Sequence, residues 1–217
     1  MKTRLLNEIR THRIIAILRG VPDEKILPVA KALWAGGIRL LEITFNQKSG
    51  EDRNTLQAVH YVRSQMPDQL YVGAGTVMSP AQAEEAAKAG AQFILAPDTN
   101  PAVISAANEH DIAAVPGALT PTEIARAYRY GAAAVKLFPA GNFGIDYIKA
   151  VTAPLSYIPL IAVGGVDVQN AAQFLQAGML GVGVGSNMTP NTMIQSEDYD
   201  GLSALAKQYA DTVNQMM

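Results

Sequence analysis

Short apolar segments rich in β-branched residues recur along the chain at regular spacing, and this regularity restricts the fold more than any other feature. Eight candidate strands start 20 to 31 residues apart, at 14–18, 40–45, 71–75, 93–96, 113–115, 134–138, 160–163 and 181–185. That spacing accommodates one strand, one helix and two short loops. The sequence therefore predicts eight consecutive βα units.

The candidate strands are almost continuously apolar, which is typical of a parallel sheet that is covered on both faces. Helix signals fall between them: Ser79 is a capping residue before Pro80, Thr120 takes the same position before Pro121, and glycines end the helical segments. The resulting helices are predicted at 23–36, 80–90, 120–131 and 167–178. A doubly wound sheet would usually need fewer strands. We therefore predict a (β/α)8 TIM barrel, preceded by a short N-terminal helix, as a single domain over residues 1–217.

Charge and composition exclude several functional classes. The chain has 17 Lys and Arg against 19 Asp and Glu, a net charge of −2, so a nucleic-acid partner is not expected. Because the chain has no cysteine, disulfides, thiolate metal sites and cysteine nucleophiles are excluded. It has no apolar stretch long enough for a membrane span and no signal-peptide core, so a cytoplasmic protein without membrane contact is expected.

No metal site or cofactor is predicted. His12, His60 and His110 lie before the first strand, in a helix and ahead of the fifth strand. None stands at the carboxyl end of a strand, where a barrel holds its functional groups. We therefore interpret all three histidines as surface or packing residues.

Two ionisable residues lie within strands whose other residues are almost all apolar. Glu42 belongs to the segment Leu-Leu-Glu-Ile-Thr-Phe, and Lys136 to Ala-Val-Lys-Leu-Phe-Pro. Alternation places Glu42 and Thr44 on one face of their strand, which we expect to be the barrel interior. Burying either charged group without a partner costs roughly several kcal/mol of folding free energy. Both positions therefore need an explanation.

An amine in an apolar pocket has a lowered pKa, and its free form can attack a carbonyl carbon. Lys136 is thus a candidate for Schiff-base formation, and Glu42 for moving protons beside it. The alternative is a structural Lys–Glu ion pair that has no chemistry.

Two glycine-rich turns predict a phosphate site. Gly164 and Gly165 follow the seventh strand, and Gly185 and Ser186 follow the eighth. Glycines at these positions let backbone N–H groups approach an anion at the usual phosphate site of such barrels. The alternative is that these are simply tight turns.

These residues resemble a known family, the class I aldolases that act on 2-keto-3-deoxy-6-phosphogluconate and 4-hydroxy-2-oxoglutarate. The resemblance extends in order over nearly the whole chain. It rests on Ile-Ala-Ile-Leu-Arg at 15–19, Leu-Glu-Ile-Thr at 41–44, Gly-Ala-Gly-Thr at 73–76, Lys-Leu-Phe-Pro at 136–139, Val-Gly-Gly at 163–165 and Gly-Val-Gly-Ser at 183–186.

The resemblance implies a homotrimeric barrel enzyme, a lyase that cleaves a keto-deoxy sugar acid to pyruvate and an aldehyde. It implies that Lys136 forms the imine and Glu42 shuttles protons. The substrate would be held by Arg19, Thr44, Asn46, Gly75, Thr76, Pro97 and Phe138, and its phosphate by Gly164, Gly165, Gly185 and Ser186.

The sequence departs from the family at Asn46, where well-known members have an arginine. A 2-keto acid brings a carboxylate that must be neutralised or hydrogen-bonded. Arg19 follows the adjacent first strand, and we expect it to take over this contact. Two other classes remain open on sequence alone: a metal-free isomerase or a barrel resembling thiamin-phosphate synthase, and a non-catalytic sugar-phosphate-binding barrel.

Overall fold

A computed structural model describes residues 1–48 and 52–215, and in this part of the chain helices alternate regularly with parallel strands. The strands are β1 (Ile14–Leu18), β2 (Leu40–Thr44), β3 (Tyr71–Gly75), β4 (Phe93–Leu95), β5 (Ala113–Val115), β6 (Gly117–Ala118), β7 (Val135–Leu137), β8 (Leu160–Val163) and β9 (Gly181–Val184). The helices are α1 (Lys2–His12), α2 (Ile26–Ala35), α3 (Asp52–Gln65), α4 (Pro80–Lys88), α5 (Pro101–Glu109), α6 (Pro121–Arg129), α7 (Gly144–Thr152), α8 (Ala171–Gln176), α9 (Asn191–Gln195) and α10 (Tyr199–Asn214).

All the strand pairs are parallel, and their order is β5-β4-β3-β2-β1-β9-β8-β7-β6. The sheet curves into a barrel, in which the two end strands, β5 and β6, are consecutive in sequence. β5 matches the predicted fifth strand at 113–115, and β6 is a short segment beyond Pro116 that was not predicted. Pro116 divides them because proline has no N–H to donate to the ladder. The carbonyl of Pro116 still accepts from the Lys136 N–H at 2.9 Å, so the ladder continues past the interruption. The predicted barrel fold is confirmed.

The helix starts follow the capping chemistry of the sequence. Ser79 accepts a hydrogen bond from the Gln82 N–H, and Thr120 forms a capping box with Glu123, each with a proline in the first turn. The helix predicted from residue 167 begins only at Ala171. The reason is that Asp167 and Asn170 first exchange two hydrogen bonds between side chain and backbone, which shape a turn.

Two apolar layers surround the strands. The outer layer packs the helices on the sheet and includes Leu41, Ile43 and Phe45 of the β2 region. The inner layer fills the barrel, and alternation gives it Leu40 from the same strand. Among the described residues, no helix is long and apolar enough to cross a membrane.

The amino-terminal end of the barrel is closed by α1. Leu5 and Ile9 of this helix are fully buried and belong to the inner cluster, together with Ile15, Leu40 and Tyr71 from the starts of three strands. The apolar residues at this end leave the opposite, carboxyl end as the place where polar groups enter the barrel.

We predict that Ile9→Ala lowers the free energy of unfolding by about 2–5 kcal/mol, because it opens a cavity beneath the barrel that the strands cannot close. The measurement is urea denaturation. Leu6→Ala is the matched control, since Leu6 is only partly buried on the same helix. Equal losses from both variants would contradict the role of α1 as a specific closure of the barrel.

Candidate active site

A cavity of about 510 Å³ opens at the carboxyl ends of the strands. Nine of the thirteen residues predicted for the site line it: Arg19, Thr76, Pro97, Lys136, Phe138, Gly164, Gly165, Gly185 and Ser186. They come from six different βα units, so only the closed barrel brings them together. The cavity is therefore the candidate active site.

Lys136 lies in the wall of this cavity, on β7. Its side chain is buried, with 6% of the residue exposed, and its ammonium nitrogen lies 4.7 Å from the ring centroid of Phe138. Burial lowers the pKa of Lys136, the negative charge of Glu42 opposes this, and Arg19 adds to the lowering. Lys136 is thus a lysine whose free-amine form is favoured beside an open cavity.

Glu42 lies in the barrel interior on β2 and is 1% exposed. Burial raises the pKa of its carboxyl, and the positive charges of Lys136 and Arg19 act in the opposite direction. Its Oε2 atom is buried and has no hydrogen-bond partner. Such an unsatisfied acceptor is rare in a protein core and marks a group that is held ready for another partner.

Glu42 and Lys136 influence each other's charge without a direct contact. Among residues 1–48 and 52–215, the ion pairs within bonding distance do not include one between these two side chains. A structural ion pair, the alternative that the sequence left open, would need that contact. Lys136 lines the cavity, whereas Glu42 is buried in the barrel and is not among the lining residues.

Gly75 makes room for the Glu42 carboxylate. A Cβ atom at position 75 would overlap the Oε1, Cδ and Cγ atoms of Glu42. Gly75 itself does not line the cavity, so the structure places it behind the carboxylate rather than among the lining residues. Its position at the end of β3 therefore fixes where the carboxyl group can lie.

Arg19 and Thr76 meet at the rim of the cavity. The Arg19 guanidinium donates to the Thr76 hydroxyl at 3.3 Å, and the Arg19 side chain is exposed. Thr76 has a φ of 57°, a left-handed conformation that costs a β-branched residue on the order of 1–3 kcal/mol. A strained backbone of this kind persists only where neighbouring contacts hold it.

The two glycine turns line the same cavity after β8 and β9, and β9 is paired with β1, the strand that precedes Arg19. Gly164 and Gly165 have φ values of 90° and 73°, which glycine adopts without strain. The turn after β9 is closed by hydrogen bonds from the N–H groups of Met188 and Thr189 to the Gly185 carbonyl. The turns are joined by Asn187, which donates to the Val166 carbonyl at 2.8 Å.

Two predicted residues lie elsewhere. Thr44 and Asn46 line a neighbouring cavity of about 290 Å³, between the loop after β1 and the start of α3. The Thr44 hydroxyl donates to the Leu18 carbonyl at 3.1 Å, so this side chain serves the packing of β1 on β2. The structure therefore separates these two residues from the cavity that contains Lys136.

Several lining residues were not predicted. Ile17, Val163, Val166, Gly183 and Asn187 also line the active-site cavity. Ile17, Val163 and Gly183 belong to strands, and their inward orientation follows from alternation only after the register is known. Asn187 directly follows Ser186 in sequence, and this proximity was the available signal.

No candidate metal centre is present in the described part of the chain, where histidine, aspartate and glutamate do not form a group of three.

The fold and the site define a class of barrel enzyme in which a buried lysine faces a cavity at the carboxyl ends of parallel strands. The chain belongs to the KDPG and KHG aldolase family, whose profile matches residues 5–205. The protein is accordingly an aldolase, a carbon–carbon lyase. This supports the aldolase reading of the sequence over the isomerase and the non-catalytic barrel.

Relatives of known activity cover most of the chain. A 2-dehydro-3-deoxy-phosphogluconate aldolase of Dickeya dadantii is 36% identical over 85% of this chain and 84% of its own length. A 2-dehydro-3-deoxy-6-phosphogalactonate aldolase of Escherichia coli is 35% identical over 92% of this chain and 96% of its own. A KHG/KDPG aldolase of the same species is 32% identical over 95% of both chains.

Solved structures agree with this assignment. A structure described as native KDPGal is 35% identical, with a TM-score of 0.81, over 93% of this chain and 96% of its own. A KDPG aldolase from Legionella pneumophila, captured with pyruvate as a covalent carbinolamine, is 27% identical, with a TM-score of 0.85, over 95% of this chain and 98% of its own.

We predict that Gly75→Ala keeps the fold but lowers kcat for aldol cleavage by about 10²-fold, because the new methyl group displaces the Glu42 carboxylate and its proton transfer is lost. The measurement is steady-state turnover together with thermal unfolding. A variant with a normal kcat would show that the carboxylate does not need this position.

Proposed function

We propose that the protein reversibly cleaves a 2-keto-3-deoxy-6-phospho sugar acid, or 4-hydroxy-2-oxoglutarate, to pyruvate and an aldehyde through an imine on Lys136. The aldehyde is glyceraldehyde 3-phosphate in the first case and glyoxylate in the second. The observation that carries this proposal is the buried Lys136, whose pKa is lowered and which lies beside an open cavity. The activities of the relatives support the same substrate class.

The reaction begins when the free amine of Lys136 adds to the C2 carbonyl carbon of the keto acid. The carbinolamine loses water and becomes an iminium, which withdraws electrons from the neighbouring carbons. Removal of the C4 hydroxyl proton then breaks the C3–C4 bond, releases the aldehyde and leaves an enamine on Lys136. Protonation at C3 and hydrolysis of the imine release pyruvate and restore the amine.

Glu42 is the group that transfers protons in these reaction steps. Burial raises the pKa of the Glu42 carboxyl toward neutral pH. A carboxyl group with such a pKa is better suited both to accept and to donate a proton. The unpartnered Oε2 leaves the carboxyl free to bond to the substrate. Lys136 and Glu42 therefore divide nucleophilic and acid–base roles between two strands.

The substrate carboxylate is assigned to Arg19 and Thr76. Arg19 is the one side chain besides Lys136 in the described cavity lining that carries a positive charge, and it already bonds to the Thr76 hydroxyl. A guanidinium can bind a carboxylate through two parallel hydrogen bonds. Pro97 and Phe138 supply apolar surface around the pyruvyl portion of the substrate. Thr44 and Asn46 line the adjacent cavity and are not assigned a direct contact with this portion.

The substrate phosphate is assigned to the turns of Gly164, Gly165, Gly185 and Ser186. These turns follow β8 and β9, whereas Arg19 follows β1, the strand paired with β9, so the carboxylate and the phosphate would be held by different loops of one cavity. Gly185 has open space around it, since a Cβ there would come no closer than 4.0 Å to the Ile17 carbonyl oxygen. Backbone N–H groups at such a turn bind an anion without a side-chain charge.

A homotrimer in the cytoplasm completes the proposal. Large aromatic side chains stand exposed on the surface, among them Trp34, Tyr130 and Tyr157, and such residues are enriched at subunit interfaces. Light scattering coupled to gel filtration tests this assembly directly. The proposal requires a mass three times that of the 23.1 kDa chain.

Borohydride reduction in the presence of pyruvate should attach a stable adduct to Lys136, because only an unprotonated amine forms the imine. Peptide mass spectrometry locates the adduct. Lys136→Met should abolish both labelling and turnover. Lys25→Met is the matched control, since Lys25 is also largely buried but is paired with Glu197 at 3.2 Å on the outside of the barrel. An adduct at another lysine would overturn the mechanism.

Variants at the two ends of the substrate site should change KM in different patterns for phosphorylated and unphosphorylated substrates. Arg19→Ala should raise KM for phosphorylated and unphosphorylated keto acids alike, by about 10- to 100-fold, the scale of a charge-assisted hydrogen bond. Gly185→Val should raise KM for the phosphorylated substrate alone, because its side chain fills the turn. The measurement compares both variants on both substrates. Identical patterns in the two variants would contradict the assigned ends.

A further inference from the structure

A buried amide outside the cavity connects three loops of the barrel mouth. Gln82, in the first turn of α4, is 8% exposed. Its Nε2 donates to both carboxylate oxygens of Asp52, at 3.1 and 3.0 Å, and its Oε1 accepts from the Met78 N–H at 2.8 Å. The side chain thus ties the start of α3 to the segment that follows β3.

The same amide is linked to the cavity rim by Gln47. The Gln47 Nε2 donates to Gln82 Oε1 at 3.4 Å and to the Thr76 carbonyl at 2.8 Å. Gln82 therefore reaches Thr76 by two routes, through Gln47 to the carbonyl and through the Met78 N–H two residues later. These contacts surround Thr76, the one residue other than glycine in the described cavity lining that has a left-handed backbone.

Thr76 in turn accepts the hydrogen bond of Arg19. The chain of contacts runs from Asp52 through Gln82 and Gln47 to Thr76 and Arg19, and it joins the loops after β1, β2 and β3. We propose that Gln82 is a positioning residue that holds Thr76 in its strained conformation and thereby orients Arg19 toward the carboxylate of the keto acid. This inference rests on the proposed role of Arg19.

The chemistry of the position explains why glutamine is suited to it. Asp52 needs a donor, while the Met78 N–H and the Gln47 amide need an acceptor, and the amide group of glutamine offers both. A glutamate would place a second carboxylate against Asp52. An apolar residue of the same size would leave Asp52 and the Met78 N–H unpaired.

The first experiment compares Gln82→Met with Gln92→Met. Gln92 is the matched control because it is also buried and also accepts a backbone hydrogen bond, from the Val72 N–H at 3.0 Å, but at the opposite end of β3. We expect Gln82→Met to raise KM for the keto acid about tenfold while kcat stays within about twofold, the pattern of lost ground-state binding. Gln92→Met should leave KM unchanged. An unchanged KM in Gln82→Met, or an equal rise in both variants, would overturn the proposal.

A second pair of variants covers the case in which Gln82→Met does not fold. Gln82→Glu should raise KM because two carboxylates then face each other, and adding Asp52→Asn should restore KM to within about threefold of the wild-type value by reversing donor and acceptor. A failure of Asp52→Asn to restore KM would overturn the network.

Arg19→Ala distinguishes a failure of the proposed carboxylate contact of Arg19 from a failure of the positioning role of Gln82. If Arg19→Ala leaves KM unchanged, the proposed carboxylate contact is wrong. If Arg19→Ala raises KM but Gln82→Met does not, only the role of Gln82 is wrong. In the Arg19→Ala background, Gln82→Met should produce no further rise in KM, because both changes remove the same contact.

Discussion

The burial of a lysine and a glutamate in one apolar barrel is the constraint on which the rest of the site depends. Each group loses hydration, and burial shifts the pKa of each toward its neutral form. If the two formed a close ion pair, their mutual attraction would offset that loss and leave the lysine charged. Because no such close pair forms, the separation is compatible with the proposed roles of Lys136 as nucleophile and Glu42 as acid–base group.

The barrel supplies this separation through its register. Glu42 pairs with Ile17 of β1 and with Gly73 of β3. Lys136 pairs with Gly117 of β6, the neighbouring strand. A Cβ at Gly73 would collide with Phe93 and one at Gly117 with the Pro97 carbonyl, so both glycines allow close packing beside the strands that carry the charged residues. The amino-terminal end, by contrast, is filled by apolar side chains and by α1, so water and substrate enter only from the carboxyl end.

Under the proposed function, the loops rather than the strands hold the two ends of the substrate. Arg19, Thr76 and the glycine turns line one cavity, while Thr44 and Asn46 line a separate one. Stable strands thus position the reacting groups, and the hydrogen bonds among loop residues determine where the ends of a substrate can be held. A family that keeps the same lysine chemistry can vary its substrates by changing these loops.

The sequence by itself indicated the fold and the two ionisable residues that the barrel buries. The spacing of apolar segments located every strand to within a residue or two, because strand burial on both faces leaves a local signal. Glu42 and Lys136 could be identified because a charge within an apolar strand is visible without any coordinates. The short segment β6 beyond Pro116 and the late start of α8 depended on hydrogen bonds that form only in the folded chain.

Only the tertiary structure decided which loop residues share a cavity. Thr44 follows the alternation of Glu42, yet its hydroxyl bonds to the Leu18 carbonyl and faces the neighbouring cavity. Gly75 carries no chemical signal, and its role behind the Glu42 carboxylate follows from a close approach between two strands. Gln82 lies far from Arg19 in sequence, and its connection to the rim exists only through contacts among three loops. Sequence patterns report local burial, whereas such contacts depend on distances that the closure of the barrel sets.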